Sequence, residues 1–421
     1  MHHFTYKNGA LYCEDVSVQD IADQVGTPFY LYSTATLKRH FQAFDSGFDG
    51  VGHLTCFAVK ACSNIAILNI FSKMGGGADI VSGGELFRAM KAGVDPQKII
   101  YSGVGKTRAE MREALYAGIL MFNVESPQEL DRLQEVAAEV GSTARIAFRI
   151  NPDVDPKTHA YISTGLAKNK FGVPVGEALQ EYLRARDMNN IEIVGVSCHI
   201  GSQLTRIEPF VEALRKIKGF VANLEQEGIR IKYLDLGGGV GITYDDEQPP
   251  HPHDYASAIR EELADMDCVL ILEPGRVITG NAGILVTEVQ YTKVNSGGEK
   301  DKRFIIVDAA MNDLTRPSLY GAFHEIIPVR EGGESMEQVD IVGPICETGD
   351  FMARDRMMPE VAQGDLLAIM SSGAYGFSMS SNYNSRPRVA EVLVSDNRFQ
   401  IIRYREEAED LLRGESISAL D

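Results

Sequence analysis

Lys60 stands at the end of an apolar run, Phe57-Ala58-Val59-Lys60-Ala61, where a solvated ammonium is out of place. Burial disfavours the charged form, so an amine held there gives up its proton more easily and becomes a nucleophile towards carbonyl carbon. A lysine snorkelling from a strand end into water accounts for the same residues, and both readings stay open at this point. Gly237-Gly238-Gly239 follows a second apolar run, Tyr233–Leu236. Three residues without side chains let backbone N–H groups approach an anion such as phosphate, and a plain tight turn is the alternative. The run is not a dinucleotide fingerprint, because Ile242 occupies the last glycine position of Gly-x-Gly-x-x-Gly.

Glu273 closes a third run, Val269–Glu273, and Pro274-Gly275-Arg276 follows it. A carboxylate at the end of a buried strand must be paired, with Arg276 for instance, or put to use. Set against a pyridine nitrogen, it would keep that nitrogen protonated and make the ring an electron sink. His199, ending the run Ile193–His199 ahead of Ile200-Gly201-Ser202, could stack on such a ring or be a satisfied core histidine.

These residues sit at corresponding places in a repeating pattern. Short apolar strands are predicted at Leu54–Val59, Ala78–Val81, Ile99–Ser102, Leu120–Val124, Ile146–Ile150, Ile193–His199, Tyr233–Leu236 and Val269–Glu273. Between them lie helical periods over 64–73, 83–92, 107–117, 126–140, 174–187, 207–227 and 254–266, several opened by a cap such as Ser63-Asn64 or Ser126-Pro127. This alternation over 35–283 fits a (β/α)₈ barrel of the TIM type better than an open, doubly wound sheet. Function in such barrels collects where strands finish, and reading those positions adds Asp79, Ser82, Ser102, Arg149 and Asn151 to the residues above.

From about residue 284 the helical period stops. Strands are predicted at Ile284–Val294, Phe304–Val307, Val339–Val342, Leu366–Met370, Val389–Val394 and Phe399–Tyr404, and a last helix at 405–413. A hairpin over 5–13, turning at Asn8-Gly9, and the run Phe29–Tyr32 have the same character. A second, all-β domain of sandwich- or barrel-like build is therefore expected from 1–34 together with 284–421.

Composition bounds the partners. With 41 basic against 59 acidic residues the formal charge is −18, which repels phosphate backbones and anionic membrane, so neither is an expected partner. No run approaches the roughly 20 apolar residues of a membrane helix, and the polar start is not that of a signal peptide. Six scattered cysteines without a Cys-x-x-Cys pair suit reduced thiols in a cytoplasmic protein. Gly103-Val104-Gly105-Lys106-Thr107 imitates the end of a Walker loop, but Ile100 stands where its leading glycine belongs. That stretch and His251-Pro252-His253 read as surface features, and no metal-ligand set is found.

The motifs together resemble a family. Phe57–Ala61, Ala78-Asp79-Ile80-Val81-Ser82-Gly83-Gly84-Glu85-Leu86, His199–Gln203, Gly237–Gly239 and Glu273–Arg276 are similar, in order, to the barrel-type pyridoxal-phosphate decarboxylases. Asp308–Asp313, Arg316–Tyr320, Gly343–Asp350, Gly373–Gly376 and Met379–Asn384 narrow the likeness to the diaminopimelate decarboxylase branch. Ala310, where glycine is common, and Cys62 are small departures.

The resemblance implies a fold, a cofactor and roles. Pyridoxal 5′-phosphate would be attached to Lys60. Asp79, Ser202, Gly238, Gly239, Gly275, Arg276 and Tyr375 would help to bind it, with Glu273 at the pyridine nitrogen and His199 on the ring. Arg276, Arg316, Tyr320, Glu347 and Tyr375 would hold the substrate, meso-2,6-diaminopimelate. Cys346 would return a proton after carbon dioxide leaves, giving lysine. The family also implies a homodimer whose Cys346 and Glu347 reach the neighbouring subunit's site. A free, buried structural cysteine is the alternative for Cys346. A related decarboxylase acting on ornithine, arginine or carboxynorspermidine is the alternative activity, with Glu347 and the Arg316…Tyr320 pair against it. Whether the loop around 155–171, with Lys168, Lys170 and Gly172, closes over substrate is not legible in the sequence.

Overall fold

Eight short strands run parallel and close on themselves: His53–Ala58, Gly77–Ile80, Ile99–Tyr101, Met121–Val124, Ala144–Asn151, Ile191–Ser197, Tyr233–Asp235 and Val269–Leu272. Closure is made by Leu270, Ile271 and Leu272 pairing with His53, Leu54 and Thr55 of the first strand. The structure, a computed structural model, describes residues 2–154, 169–296, 301–333 and 335–420. It divides into one unit of 38–243 and 247–278, which is the barrel, and another of 1–37, 244–246 and 279–421.

Local chemistry sets where each barrel helix begins. Asn64 accepts from the backbone of Ala66 at 3.0 Å, and Ser82 accepts from that of Glu85 at 3.2 Å. Thr107 and Glu110 form a reciprocal capping box, and Ser126 caps the helix that opens with Pro127. Each cap satisfies a first-turn N–H that has no partner inside the helix. Strand and helix therefore meet within a few residues, which leaves the strand-end side chains on the C-terminal rim. Below that rim an apolar cluster of Cys56, Ile100, Met121, Ala147, Val194 and Ile271 fills part of the barrel unit.

Lys106 departs from its expected surface position. Its side chain is 1 % exposed, and Nζ donates to Glu129 at 2.7 Å and to the carbonyls of Gly103 and Asn123. Glu129 lies far along the chain, so nothing local announced the pairing that makes burial tolerable. His251 stays at the surface, where its ring accepts from the backbone of His253 as a helix cap.

In the second unit, Asn8 and Gly9 both take positive φ, the hairpin turn expected of that dipeptide, and join Phe4–Lys7 to Ala10–Cys13. The larger sheet runs Phe351–Pro359, Met336–Val342, Lys302–Val307, Gly283–Asn295, Phe29–Ser33, Ala390–Ser395 and Arg398–Arg403. Leu366–Ile369 pairs with Gly283–Asn295 and with Ile326–Pro328. Phe29, Leu31, Ile284, Val286, Ala368 and Val392 are among the side chains of its core. The strand Ile326–Pro328 and the helix Val18–Val25 are not among the expected elements, and two further elements differ from expectation. Phe351–Pro359 is a strand that sequence pattern missed, because Arg354-Asp355-Arg356 and an irregular register with positive φ at Asp355 break its alternation. The last helix covers only Ala408–Leu411, too short to be sustained by its own hydrogen bonds.

Candidate active site

Strand pairing places the lysine. Ala58 is the register partner of Asp79, and a 3₁₀ turn over Val59–Ala61 carries Lys60 just past the strand. Lys60 Nζ donates to Asp79 Oδ2 at 2.6 Å, with the lysine side chain 37 % exposed and the aspartate fully buried. The last strand is tied to the same turn: Ala58 N donates to Pro274 O at 3.0 Å, and a side chain at Gly275 would press on Ala61 and Ala58.

A buried polar layer connects the third, fourth, sixth, seventh and eighth strands. Asn123 Nδ2 donates to Asp235 Oδ2 at 2.7 Å, to Ser102 Oγ at 3.1 Å and to Glu273 Oε1 at 3.5 Å. Ser197 Oγ donates to Asp235 at 3.1 Å, and Gly237 N donates to its other oxygen at 2.9 Å. Burial pushes Glu273 well above the usual carboxylate range, and the charges of Asp235 and Asp79 add to that, with Lys60 opposing. Burial also raises Asp235, although Gly237 and Asn123 counter it. Both acids are thus raised in the folded chain, Glu273 the more strongly, and Asn123 Nδ2 bridges them.

His199 and the glycines form the next part. Gly238 N donates to His199 Nδ1 at 3.2 Å, so any proton on the neutral ring sits on Nε2. Burial first, then the charges of Arg149 and Lys60, hold His199 well below the usual imidazole range. A Cβ on Gly238 would meet the Glu273 carbonyl oxygen at 2.1 Å, and one on Gly239, whose φ is +121°, would meet Gly201 O at 2.5 Å. Only glycine fits there, between the ends of the sixth and eighth strands. Arg276 Nη2 donates to Ser202 Oγ at 3.2 Å, bringing a guanidinium and a hydroxyl together. A hydroxyl, a guanidinium and backbone N–H groups cradled by glycine suit a phosphate.

In the other unit, Arg316 is buried at the start of a short helix, Arg316–Tyr320. Its guanidinium carbon lies 4.9 Å from the ring centre of Tyr244 and 5.9 Å from that of Tyr320. Cys346 and Glu347 are exposed on a loop built by Asp350, whose carboxylate accepts from Ile345 N and Met311 N, each at 2.7 Å. The cysteine is thus not a buried structural thiol. Tyr383 OH donates to Glu347 Oε2 at 2.8 Å. Tyr375 is half-buried with φ +55°, a left-handed conformation that costs a non-glycine residue about 1 kcal/mol or more.

So the barrel gathers Lys60, Asp79, His199, Ser202, Gly238, Gly239, Glu273, Gly275 and Arg276 on its strand ends. The second unit carries Arg316, Tyr320, Cys346, Glu347 and Tyr375. Sequence reading missed Asp235 and Asn123. Both are polar residues within apolar runs, and the test applied to Glu273 would have found them. It singled out Arg149 but not its partner Glu125, which takes the guanidinium at 3.0 Å and Gly172 N at 2.8 Å. Most of the 155–171 loop, residues 155–168 with Lys168, lies outside the described residues.

Comparison with known proteins agrees with this chemistry. Residues 34–280 match the family model described as pyridoxal-dependent decarboxylase, pyridoxal binding domain. Diaminopimelate decarboxylase of Pseudomonas aeruginosa is 52 % identical over 417 residues, covering 99 % of each chain. The Aquifex aeolicus diaminopimelate decarboxylase is 52 % identical over 405 residues, 96 % of this chain and 95 % of the other. Among solved structures, diaminopimelate decarboxylase from Helicobacter pylori complexed with L-lysine superposes with a TM-score of 0.90 at 44 % identity, covering 94 % of this chain and 98 % of that one.

Proposed function

This chain belongs to the pyridoxal-dependent decarboxylases, and we propose that it removes one carboxylate from meso-2,6-diaminopimelate to give L-lysine and carbon dioxide. The cofactor is pyridoxal 5′-phosphate. The observation that carries the reading is the set on one barrel rim: the Lys60–Asp79 pair, the acid layer of Glu273 and Asp235, and the glycine cradle beside Ser202 and Arg276. A lysine, an acid for a ring nitrogen and a phosphate cradle are what that cofactor needs.

Bound there, the pyridine ring supplies an electron sink for the pair left behind when the carboxylate departs. Lys60 Nζ is the attachment point. Glu273 would keep the ring nitrogen protonated, and Asn123 would link Glu273 to Asp235 in the buried layer. His199, neutral with its proton on Nε2, offers a flat uncharged face to the ring. Ser202, Gly238, Gly239, Gly275, Arg276 and Tyr375 hold the phosphate.

Arg276, Arg316 and Tyr320 take the carboxylate of the end that is kept, because a guanidinium fork matches a carboxylate. Glu347 takes the ammonium of that end. A substrate lacking those groups leaves buried polar groups unpaired, which costs enough to reject it. Cys346 Sγ–H returns the proton to the carbon that lost carbon dioxide.

We further read residues 35–283 as the cofactor-binding domain, and 1–34 with 284–421 as the substrate and partner domain. Cys346 and Glu347 are exposed on the single chain, which supports their delivery to a second subunit's barrel in a homodimer. The free cysteines suit a cytoplasmic enzyme. A panel of diaminopimelate isomers, ornithine, arginine and lysine with detection of carbon dioxide tests the activity. Release from meso-diaminopimelate alone is expected, and release from ornithine or arginine instead would overturn it.

A further inference from the structure

We propose that His324 is a positioning residue for substrate recognition: it holds the Nε edge of Arg316 so that the guanidinium meets the distal carboxylate through its two Nη groups. The inference rests on the reading of Arg316 as the carboxylate grip. His324 is fully buried. Its Nδ1 lies 2.9 Å from the carbonyl oxygen of Met370, which can only accept, so Nδ1 carries the proton. Its Nε2 faces Arg316 Nε at 3.3 Å, and a guanidinium N–H can only donate, so Nε2 presents a lone pair. Both contacts are satisfied together by one form, the neutral ring protonated on Nδ1.

The ring is held from other sides as well. Arg356 Nη1 donates to the His324 backbone oxygen at 2.8 Å, and the Tyr244 ring packs edge-on against the imidazole with centroids 5.3 Å apart. Tyr244 also lies under the Arg316 guanidinium, so one tyrosine touches both partners. A carboxylate can approach a guanidinium along the Nε–Nη side or across the Nη pair. With Nε given to His324, the Nη pair is the edge that serves a carboxylate in the bidentate manner. His324 thereby selects one docking direction and removes side-chain freedom that binding would otherwise have to restrict.

Two amides separate the contacts. His324→Asn keeps a donor near the Nδ1 position for Met370 but ends short of Arg316. His324→Gln reaches the Nε2 position with an oxygen that can accept from Arg316. The expected result for His324→Asn is a KM for meso-diaminopimelate raised about tenfold or more, the loss of one hydrogen bond to a charged group, with kcat within about twofold. His324→Gln should recover most of the affinity. Cofactor absorbance and melting temperature should be alike in both. In an Arg316→Lys background, which has no Nε–H, His324→Asn should add less than about twofold, because nothing remains for the ring to hold.

An unchanged KM in His324→Asn, beside a raised KM in Arg316→Ala, overturns the proposal and leaves the reading of Arg316 intact. An unchanged KM in Arg316→Ala removes that reading and the proposal with it. If His324→Asn lowers kcat, cofactor content and melting temperature together, or adds its full effect on top of Arg316→Lys, His324 is structural and the proposal fails. Should the asparagine variant not fold, His324→Ser, which also ends short of Arg316, decides in both backgrounds by the same non-additivity.

Discussion

Gly238 N donates to His199 Nδ1 at 3.2 Å, so the glycine that lets the Glu273 carbonyl approach also sets the tautomer of the neighbouring imidazole. A buried imidazole beside the charges of Arg149 and Lys60 stays neutral. A neutral stacking face needs no titratable nitrogen. His199→Phe should therefore keep kcat within about tenfold, whereas His199→Ala, which removes the face, should lose more. Steady-state kinetics at saturating cofactor decide this. A phenylalanine variant as inactive as the alanine one would mean that the imidazole nitrogen takes part in chemistry.

Lys60→Ala should abolish covalent cofactor attachment and nearly all turnover, since no other described lysine occupies the rim position beside Asp79. Borohydride reduction followed by peptide mapping checks it. An adduct on a different lysine would sink the assignment.

Glu273→Gln should lower kcat about a hundredfold or more while leaving cofactor content unchanged, because the amide cannot hold a proton at the ring nitrogen and the phosphate contacts are elsewhere. Asp235→Asn should weaken the same function less, since Asp235 reaches Glu273 only by way of Asn123. Absorbance and kcat measured on the same preparations separate loss of the cofactor from loss of chemistry. An Asp235 variant worse than the Glu273 variant would reverse their roles.

Cys346→Ala should slow proton return by about a hundredfold to ten-thousandfold with little change in KM, and Glu347→Ala should mainly raise KM. If both residues serve a neighbour's barrel, inactive Lys60→Ala and Cys346→Ala chains should regain activity when mixed. A random heterodimer then holds one intact site. No recovery after subunit exchange has been demonstrated would place Cys346 in its own chain's site.

Asp313 gives a pH dependence whose sign can be worked out. Burial pushes it up to about 7, against Ala310 N and the charge of Arg386. An unfolded aspartate titrates near 4, so between those values the folded chain binds more protons than the unfolded one. Its contribution to stability is complete below about pH 4 and is lost as pH rises through about 7. Asp313→Asn retains an acceptor for Ala310 N but cannot titrate. Melting temperature should therefore fall less between pH 5 and pH 8 in the variant. An equal fall in both proteins would show that Asp313 is already ionised at pH 5.

The β/α alternation, the switch to strands near 284 and the chemistry of Lys60, His199 and Glu273 were readable in the chain because each is local. A helix declares itself through period and cap, and a buried charge through its apolar neighbours on either side. Even the Asn8-Gly9 turn is a matter of two residues. What the sequence could not supply are partners distant along the chain. Asn123, Asp235 and Glu273 meet only because a closed barrel brings its fourth, seventh and eighth strands to one polar layer. Lys106 reads as a surface loop residue until Glu129 is seen beside it, and His324 reads as an ordinary histidine until Arg316 and Met370 fix its two nitrogens. A side chain's type is written in one position, but its protonation, burial and direction depend on groups that only the folded backbone brings within hydrogen-bonding distance.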